Sequence, residues 1–254
     1  MNKISTNFLK YGYHIFDIEN TFNLLVFKEL IHKSLNYEGE LSKLHLSIDS
    51  ENLNNLRLNA FRSINSLECW QEKYYSLAEI VLTELFGYDI SIQNKLNLSI
   101  QIPNDNTSQL MLHTDTLSGQ TEYEVVLWVP FTNVYDSNGM YLIDKNCSRE
   151  IFSSLPKYEK KGMSAVYEEF KHLANFIKID FGKAIIFSPT LFHGNIINKT
   201  DSSRISINCR FKSLFSPEFE GFPTERSTGP FYRPLKYSAV TEYALSYDEG
   251  SVIF

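Results

Sequence analysis

The chain has too few cysteines for a disulfide framework or a zinc site. Its three thiols, Cys69, Cys147 and Cys209, are odd in number, widely spaced and form no CxxC pair. Three reduced thiols in a reducing compartment are the expectation. No apolar run is long enough to cross a bilayer. The opening MNKISTNFLKYGYHIFDIEN lacks the apolar block of a secretory signal. A cytoplasmic protein without a membrane partner is therefore expected. The chain also lacks a basic surplus: 24 Lys and Arg stand against 30 Asp and Glu, a net charge of −6, with no Lys/Arg cluster. That balance argues against a nucleic-acid partner and leaves a small-molecule substrate as the expected one. Internal repeats and low-complexity tracts are absent too.

What remains is an ordinary globular composition over 254 residues, 43% hydrophobic and 14% aromatic, enough for one sizeable core. Residues 1–90 read as mostly helical support. Asn20 and Thr21 offer a cap to a helix with Phe22, Leu25, Val26, Glu29, Leu30 and Leu35 on one stripe. A weakly periodic stretch covers Ser50–Glu68. A second helix is expected over Trp70–Leu85, ended by Gly87. The character then changes. Residues 96–102, LNLSIQI, alternate strictly as a half-buried strand does, and Pro103–Asn106 breaks the run. Further strands are expected at Ser108–Thr114, Glu122–Phe131, Gly139–Ile143, Ala184–Ser188, Leu191–Ile197 and Arg204–Phe211. Short strands at this spacing point to a closed or double-layered antiparallel jelly roll over 91–215, so the fold class is mainly β with N-terminal helices. Lys145–Ile179 reads as an insertion with a helix near Val166–Phe176, and 216–254 as an irregular C-terminal wrap on the same single domain.

Chemistry concentrates in five positions. His113 and Asp115 form an H-x-D pair, His193 follows 80 residues later, and Arg204 stands 11 beyond it with Ser206 next but one. In a strand, residues i and i+2 share a face, so His113 and Asp115 aim at one point. Two imidazoles and a carboxylate are the set that holds non-haem Fe(II) on one face and leaves the other open. An Arg fork behind the last ligand meets the far carboxylate of a 2-oxo acid bidentately. Ser206 adds a hydroxyl on the same face, and Asn208 continues it. An isolated H-x-D is usually chance; the order H-x-D, His, R-x-S on successive strands carries the reading. His14, His32, His45 and His172 read as structural or solvent-facing.

Three stretches resemble the Fe(II)/2-oxoglutarate-dependent oxygenases, in particular the phytanoyl-CoA dioxygenase-like branch: LHTDTL at 112–117, VVLWVPFTNVYDSNGMYLID at 125–144 and FGKAIIFSPTLFHGNIINKTDSSRISINCRFK at 181–212. The last run also resembles oxygenases of carbohydrate and aminoglycoside biosynthesis clusters. The resemblance implies a double-stranded β-helix, with His113, Asp115 and His193 as catalytic metal ligands and Arg204 on the distal carboxylate. It further implies Trp128 lining the cosubstrate pocket, Asn195 near cosubstrate or substrate, and Gln101 behind them. Iron, 2-oxoglutarate and dioxygen would then serve hydroxylation or a related oxidation of an unactivated C–H bond. The run from Ile143 to Ser148 departs from the branch, which often has Pro-Gly-Ser-His there. Loops over the mouth are expected from Lys145–Ile179 and Phe231–Tyr247. Two alternatives stay open: a cupin-like metalloenzyme that uses no keto acid, and a non-catalytic binding relative.

Overall fold

A computed structural model describes residues 3–48, 52–217, 225–226 and 229–248. The N-terminal part contains α1 (Lys3–Tyr11), β1 (Tyr13–Asp17), α2 (Thr21–Leu35), α3 (Leu53–Asn65), α4 (Trp70–Tyr75) and α5 (Glu79–Phe86). The centre follows with β2 (Ile90–Gln93), β3 (Asn97–Gln101), β4 (Glu124–Pro130), β5 (Met140–Leu142), α6 (Lys145–Ser154), α7 (Gly162–Phe170) and β6 (Asn175–Phe176). The last elements are β7 (Lys183–Phe187), β8 (His193–Asn195), β9 (Arg204–Ser213), β10 (Glu225–Arg226), β11 (Gly229–Pro230), β12 (Tyr232–Lys236) and α8 (Ala239–Asp248).

The helices form where caps and burial agree. The Asn20 carboxamide accepts from the Asn23 N–H at 3.0 Å and starts α2. The buried stripe of α2 is Leu24, Phe27, Ile31 and Leu35, whereas Phe22 and Leu25, placed on it by periodicity, are 73% and 55% exposed. Two faces of this helix are apolar, so period alone does not choose between them; packing does. The single helix expected over 70–85 is two, α4 and α5, parted at 76–78. There Leu77 and Ala78 are fully buried, and the Leu77 carbonyl accepts from the Glu19 N–H. The Glu19 carboxylate then accepts from the Ile80 and Val81 N–H groups, a cap for α5 supplied from 61 and 62 residues away. Gly87 ends α5 at φ 78°, as expected.

Strand β9 is the spine of a seven-stranded antiparallel sheet. β4 lies along one edge of it, and β3 then β2 along the other; β7 and β1 extend the β4 side, and β12 extends the β2 side. Alternation along β9 gives the sheet two characters. Ile205, Ile207, Cys209 and Phe211 join Val125, Leu127, Val129 and Ile186 in the core beneath the helices, against Phe27, Ile31, Tyr74 and Leu82. Tyr74 is fastened there through its hydroxyl, which donates to the Leu127 carbonyl at 2.9 Å. Arg204, Ser206, Asn208 and Arg210 point the other way.

A three-stranded antiparallel sheet, β6-β5-β8, faces that polar side. Val126, Trp128, Ile185 and Phe187 of the large sheet pack with Met140 and Leu142 of the small one. On the outer side of the small sheet, Tyr141, Ile143 and Phe192 pack against Ile151, Tyr158 and Val166 of the 145–179 insertion. That insertion is thus a backing layer. Its α7 ends at Phe170, and residues 175–176, expected as helix, pair with β5 instead.

Other expectations also give way. Ser108–Thr114 is no strand; only His113 makes a bridge, to His193. Asp105 curls the chain by accepting from the Thr107 N–H and hydroxyl and from the Ser108 hydroxyl. The large sheet takes β1 from the segment read as helical support and β12 from the segment read as irregular wrap, while residues 218–224, 227–228 and 249–254 of that wrap lie outside the described residues. Among the described residues, no helix is long and apolar enough to cross a membrane.

Candidate metal centre and cosubstrate pocket

The two histidines of the candidate centre meet through backbone pairing. His113 and His193 exchange N–H···O bonds of 3.0 and 2.9 Å, which brings their ring centroids to 4.2 Å. Each ring is turned by its own chain. His113 Nδ1 lies 2.8 Å from the Met111 carbonyl and His193 Nδ1 lies 2.9 Å from the Leu191 carbonyl. A carbonyl only accepts, so both Nδ1 atoms carry the proton and both Nε2 atoms offer a lone pair. Burial, then the neighbouring His113, lowers the His193 pKa to about 4, so its imidazole is neutral at pH 7.

Asp115 completes the cluster. Its backbone N–H donates to the Pro189 carbonyl at 3.0 Å. Its Oδ1 is 3.9 Å from His113 Nε2. Ligand atoms of the three residues all lie within 4.8 Å of one another, close enough to share one ion. Burial pushes the Asp115 carboxyl up, but the Arg210 guanidinium and the two imidazoles outweigh it, and the group stays below its ordinary range. Two imidazoles with an ionised carboxylate suit Fe(II) and its neighbours in the divalent series.

The cluster lines one wall of a cavity of about 490 Å³ between the two sheets. Arg204 lies in the same cavity wall, only 3% exposed. Its Nε and Nη2 donate to Gln101 Oε1 at 3.2 and 3.1 Å, Nη1 to Ser206 Oγ at 2.7 Å and Nη2 to Ser99 Oγ at 3.3 Å. Its guanidinium carbon stands 5.7 Å from the centre of the Trp128 ring. All of these partners are neutral. Among the described residues, no carboxylate comes within ion-pair distance of Arg204, and burial pulls its pKa to about 10. A buried cation without a counter-charge is costly unless an anion joins it.

The sequence-derived residues do not all converge. Gln101 supports Arg204 and donates to the Ile196 carbonyl at 2.6 Å. Asn195 borders the cavity, but its side chain accepts from the Leu110 N–H at 2.6 Å and donates to the Ser108 carbonyl at 3.1 Å. It ties the 108–110 loop to β8 rather than presenting a free amide. Asn208 accepts from the Asn97 amide at 2.9 Å. The segments expected to overhang the mouth, 145–179 and 231–247, contribute no lining residue; Asn54 and Arg57 of α3 and residues 107–110 do. The remaining histidines bond elsewhere: His14 with Asn7, His32 with the Tyr37 carbonyl, His45 with Ser203 and His172 with the Glu169 carbonyl.

Sequence reasoning missed Arg210, whose Nη2 is 2.8 Å from Asp115 Oδ2. Its parity on β9, three alternations after Arg204, marks its face but not its partner. It also missed Ser99 and Asn97. The cross-strand register Gln101↔Arg204, Ser99↔Ser206 and Asn97↔Asn208 sets the polar side chains of two strands opposite one another.

No known family profile matches the chain, and no curated protein does. Solved structures do. A non-heme monooxygenase, ThoJ, in its nickel complex has a TM-score of 0.57 at 15% identity, covering 97% of this chain and 94% of that one. HygX from Streptomyces hygroscopicus, with nickel and 2-oxoglutarate bound, gives 0.56 at 10% identity over 92% and 97% of the two chains. EctD from S. alaskensis, with 2-oxoglutarate and 5-hydroxyectoine, gives 0.62 at 16% identity over 95% and 86%. The chain therefore shares the fold of non-haem iron and 2-oxoglutarate-dependent oxygenases, the group its motifs resemble.

Proposed function

We propose that this protein is an Fe(II)- and 2-oxoglutarate-dependent dioxygenase that oxidises an unactivated C–H bond of a small molecule, built on a double-stranded β-helix core. The observation that carries the reading is Arg204, a buried guanidinium without a carboxylate partner among the described residues, in the wall of the cavity that also holds the His113, Asp115 and His193 cluster. His113, Asp115 and His193 would hold the metal. Arg204, with Ser206 at its side and Gln101 and Ser99 behind it, would hold the far carboxylate of 2-oxoglutarate. HygX with nickel and 2-oxoglutarate bound, and EctD with 2-oxoglutarate, support that pairing of site and cosubstrate.

Bound iron and 2-oxoglutarate would supply the activation of dioxygen, with the keto acid leaving as succinate and carbon dioxide. The chain's own part is orientation and exclusion of water. The Met111 and Leu191 carbonyls fix both imidazoles, Gln101 fixes the Arg204 fork, and Val126, Trp128 and Phe187 keep the inner wall apolar. The cavity's outer wall carries Asn54, Asn97, Thr107 and Gln109, while Asp115 is its one acidic lining residue among those described and is paired with Arg210. This lining favours a hydroxyl-rich neutral metabolite of sugar type over an aminoglycoside, whose ammonium groups would find no free carboxylate.

A cupin-like reaction without a keto acid gives Arg204 no anion to hold, and a non-catalytic binding role is separated from the proposal by turnover. The test is the protein loaded anaerobically with Fe(II), then given 2-oxoglutarate and air. Succinate should form, slowly without substrate, and His113→Ala should abolish it. A metal-loaded protein that neither binds nor turns over 2-oxoglutarate would exclude the reading.

A further inference from the structure

Arg210 has no part in the function proposed above, yet it is bound to the middle of the cluster. It lies on the cavity face of β9, with its side chain 14% exposed. Nη2 is 2.8 Å from Asp115 Oδ2, and Nη1 donates to Gln93 Oε1 at 3.2 Å. Its Nε is buried and has no partner among the described residues. Gln93 stands opposite Tyr232 in the pairing of β2 with β12, so the C-terminal strand flanks the residue that holds Arg210. The other Asp115 oxygen, Oδ1, is the one near His113 Nε2, at 3.9 Å.

We propose that Arg210 is a positioning residue that holds Asp115 as a one-oxygen metal ligand, with Gln93 aiming its guanidinium. The inference rests on the metal-binding reading of the cluster. A carboxylate on a divalent ion takes one coordination position or two, according to whether its second oxygen is otherwise engaged. Here Arg210 engages Oδ2, the oxygen other than the one facing the imidazoles. Gln93 Oε1 takes Nη1, so the rigid guanidinium is directed at Oδ2 from a fixed angle, which a flexible ammonium would not be. Holding Asp115 to one oxygen keeps a position open for cosubstrate or dioxygen. The Asp115 partner lies 95 residues earlier in the chain, so the pairing is a property of the fold alone.

The test uses the full chain, freed of metal, as wild type, Arg210→Met, Arg210→Lys, Gln93→Leu and Arg204→Met. Each is titrated with Ni(II) by calorimetry and with Co(II) by visible absorption, whose intensity reports coordination number. Arg210→Met should weaken metal binding about 10- to 100-fold, the usual loss when a ligand's hydrogen-bonding partner is removed, and should change the Co(II) spectrum. Arg204→Met should leave both as in wild type. Arg210→Lys should recover part of the affinity but not the wild-type spectrum; full recovery of both would show that charge alone matters and overturn the proposal. A folded Arg210→Met with metal affinity within about threefold of wild type and an unchanged spectrum would overturn it too. Should Arg210→Met fail to fold, Gln93→Leu decides: a wild-type Co(II) spectrum in that variant refutes the positioning role, a changed one supports it. A wild type that binds neither metal overturns this inference and the proposed function together. Metal binding insensitive to Arg210 overturns the inference alone.

Discussion

Replacing Arg204 by Met separates cosubstrate binding from everything else in the site. The magnitude follows from what the guanidinium touches. In the free protein it is fully buried, and burial lowers its pKa from 12.5 to about 10. At about 1.4 kcal/mol per unit, burying the charge costs roughly 3 kcal/mol throughout the neutral range, since the group is charged both folded and unfolded below pH 10. Methionine removes that cost but leaves Gln101 Oε1, which accepts twice from Arg204, without its donor. An orphaned buried acceptor costs about 1–3 kcal/mol, so the two effects nearly cancel and stability should move by no more than about 2 kcal/mol. Cosubstrate binding has no such compensation. Two charge-assisted hydrogen bonds to a carboxylate are worth about 1.5–3 kcal/mol each. Their loss should raise the Kd for 2-oxoglutarate by two to four decades, at about 1.4 kcal/mol per decade. The assay is calorimetric titration of 2-oxoglutarate into Ni(II)-loaded protein, beside Ni(II) titration of the metal-free form. None of Arg204's hydrogen-bond partners belongs to the triad, so metal affinity should hold. A rise in the 2-oxoglutarate Kd below about tenfold, or an equal loss of metal affinity, would refute the reasoning.

Three further outcomes are expected. Gly194→Ala would put a methyl 2.5 Å from the Tyr141 hydroxyl and 2.8 Å from the Leu110 carbonyl. It should cost about 1–3 kcal/mol by overpacking, read as a lower urea midpoint, with partial rescue by Tyr141→Phe; an unchanged midpoint would count against the close packing of β8. Asp105 is held at about 2 against an ordinary 3.8: burial raises it, but Thr107, Arg57 and Ser108 together outweigh burial. Its folded value is depressed, so its stabilisation is present above pH 4 and lost as pH falls through 2, at most about 2 kcal/mol by linkage. Urea titrations at pH 5, 3 and 2 should show that loss in wild type and not in Asp105→Asn; equal slopes would dismiss it. Finally, Ni(II) at a hundredfold over its Kd should stabilise the fold by about 2.7 kcal/mol, a shift of several degrees in thermal unfolding that His193→Ala removes. Retention of the full shift in that variant would take His193 out of the site.

Local pattern made much of this protein legible, and the limits of local pattern explain the rest. Strand alternation put Arg204, Ser206 and Asn208 on one face from sequence alone, because side-chain direction along a strand follows from backbone geometry. The H-x-D pair worked differently. Its segment is a loop, and His113 is aimed by a single bridge to His193 and a bond to its own chain. The spacing marked two residues that the fold does bring beside His193, although the strand that was to orient them is absent.

The sequence by itself determined the chemical inventory: which side chains are present, which faces of β3 and β9 are polar, and where α2 starts and α5 stops through Asn20 and Gly87. Tertiary structure decided which inventories meet. It chose between the two apolar stripes of α2, capped α5 with Glu19, drew β1 and β12 into the large sheet, laid 145–179 behind the small sheet rather than over the cavity, and set Arg210 against Asp115. Each of these is a contact between residues far apart in the chain. Periodicity and propensity report only the dihedral preferences of neighbours, whereas register and layer pairing are settled by which distant surfaces bury the most apolar area while leaving the fewest polar groups unpaired.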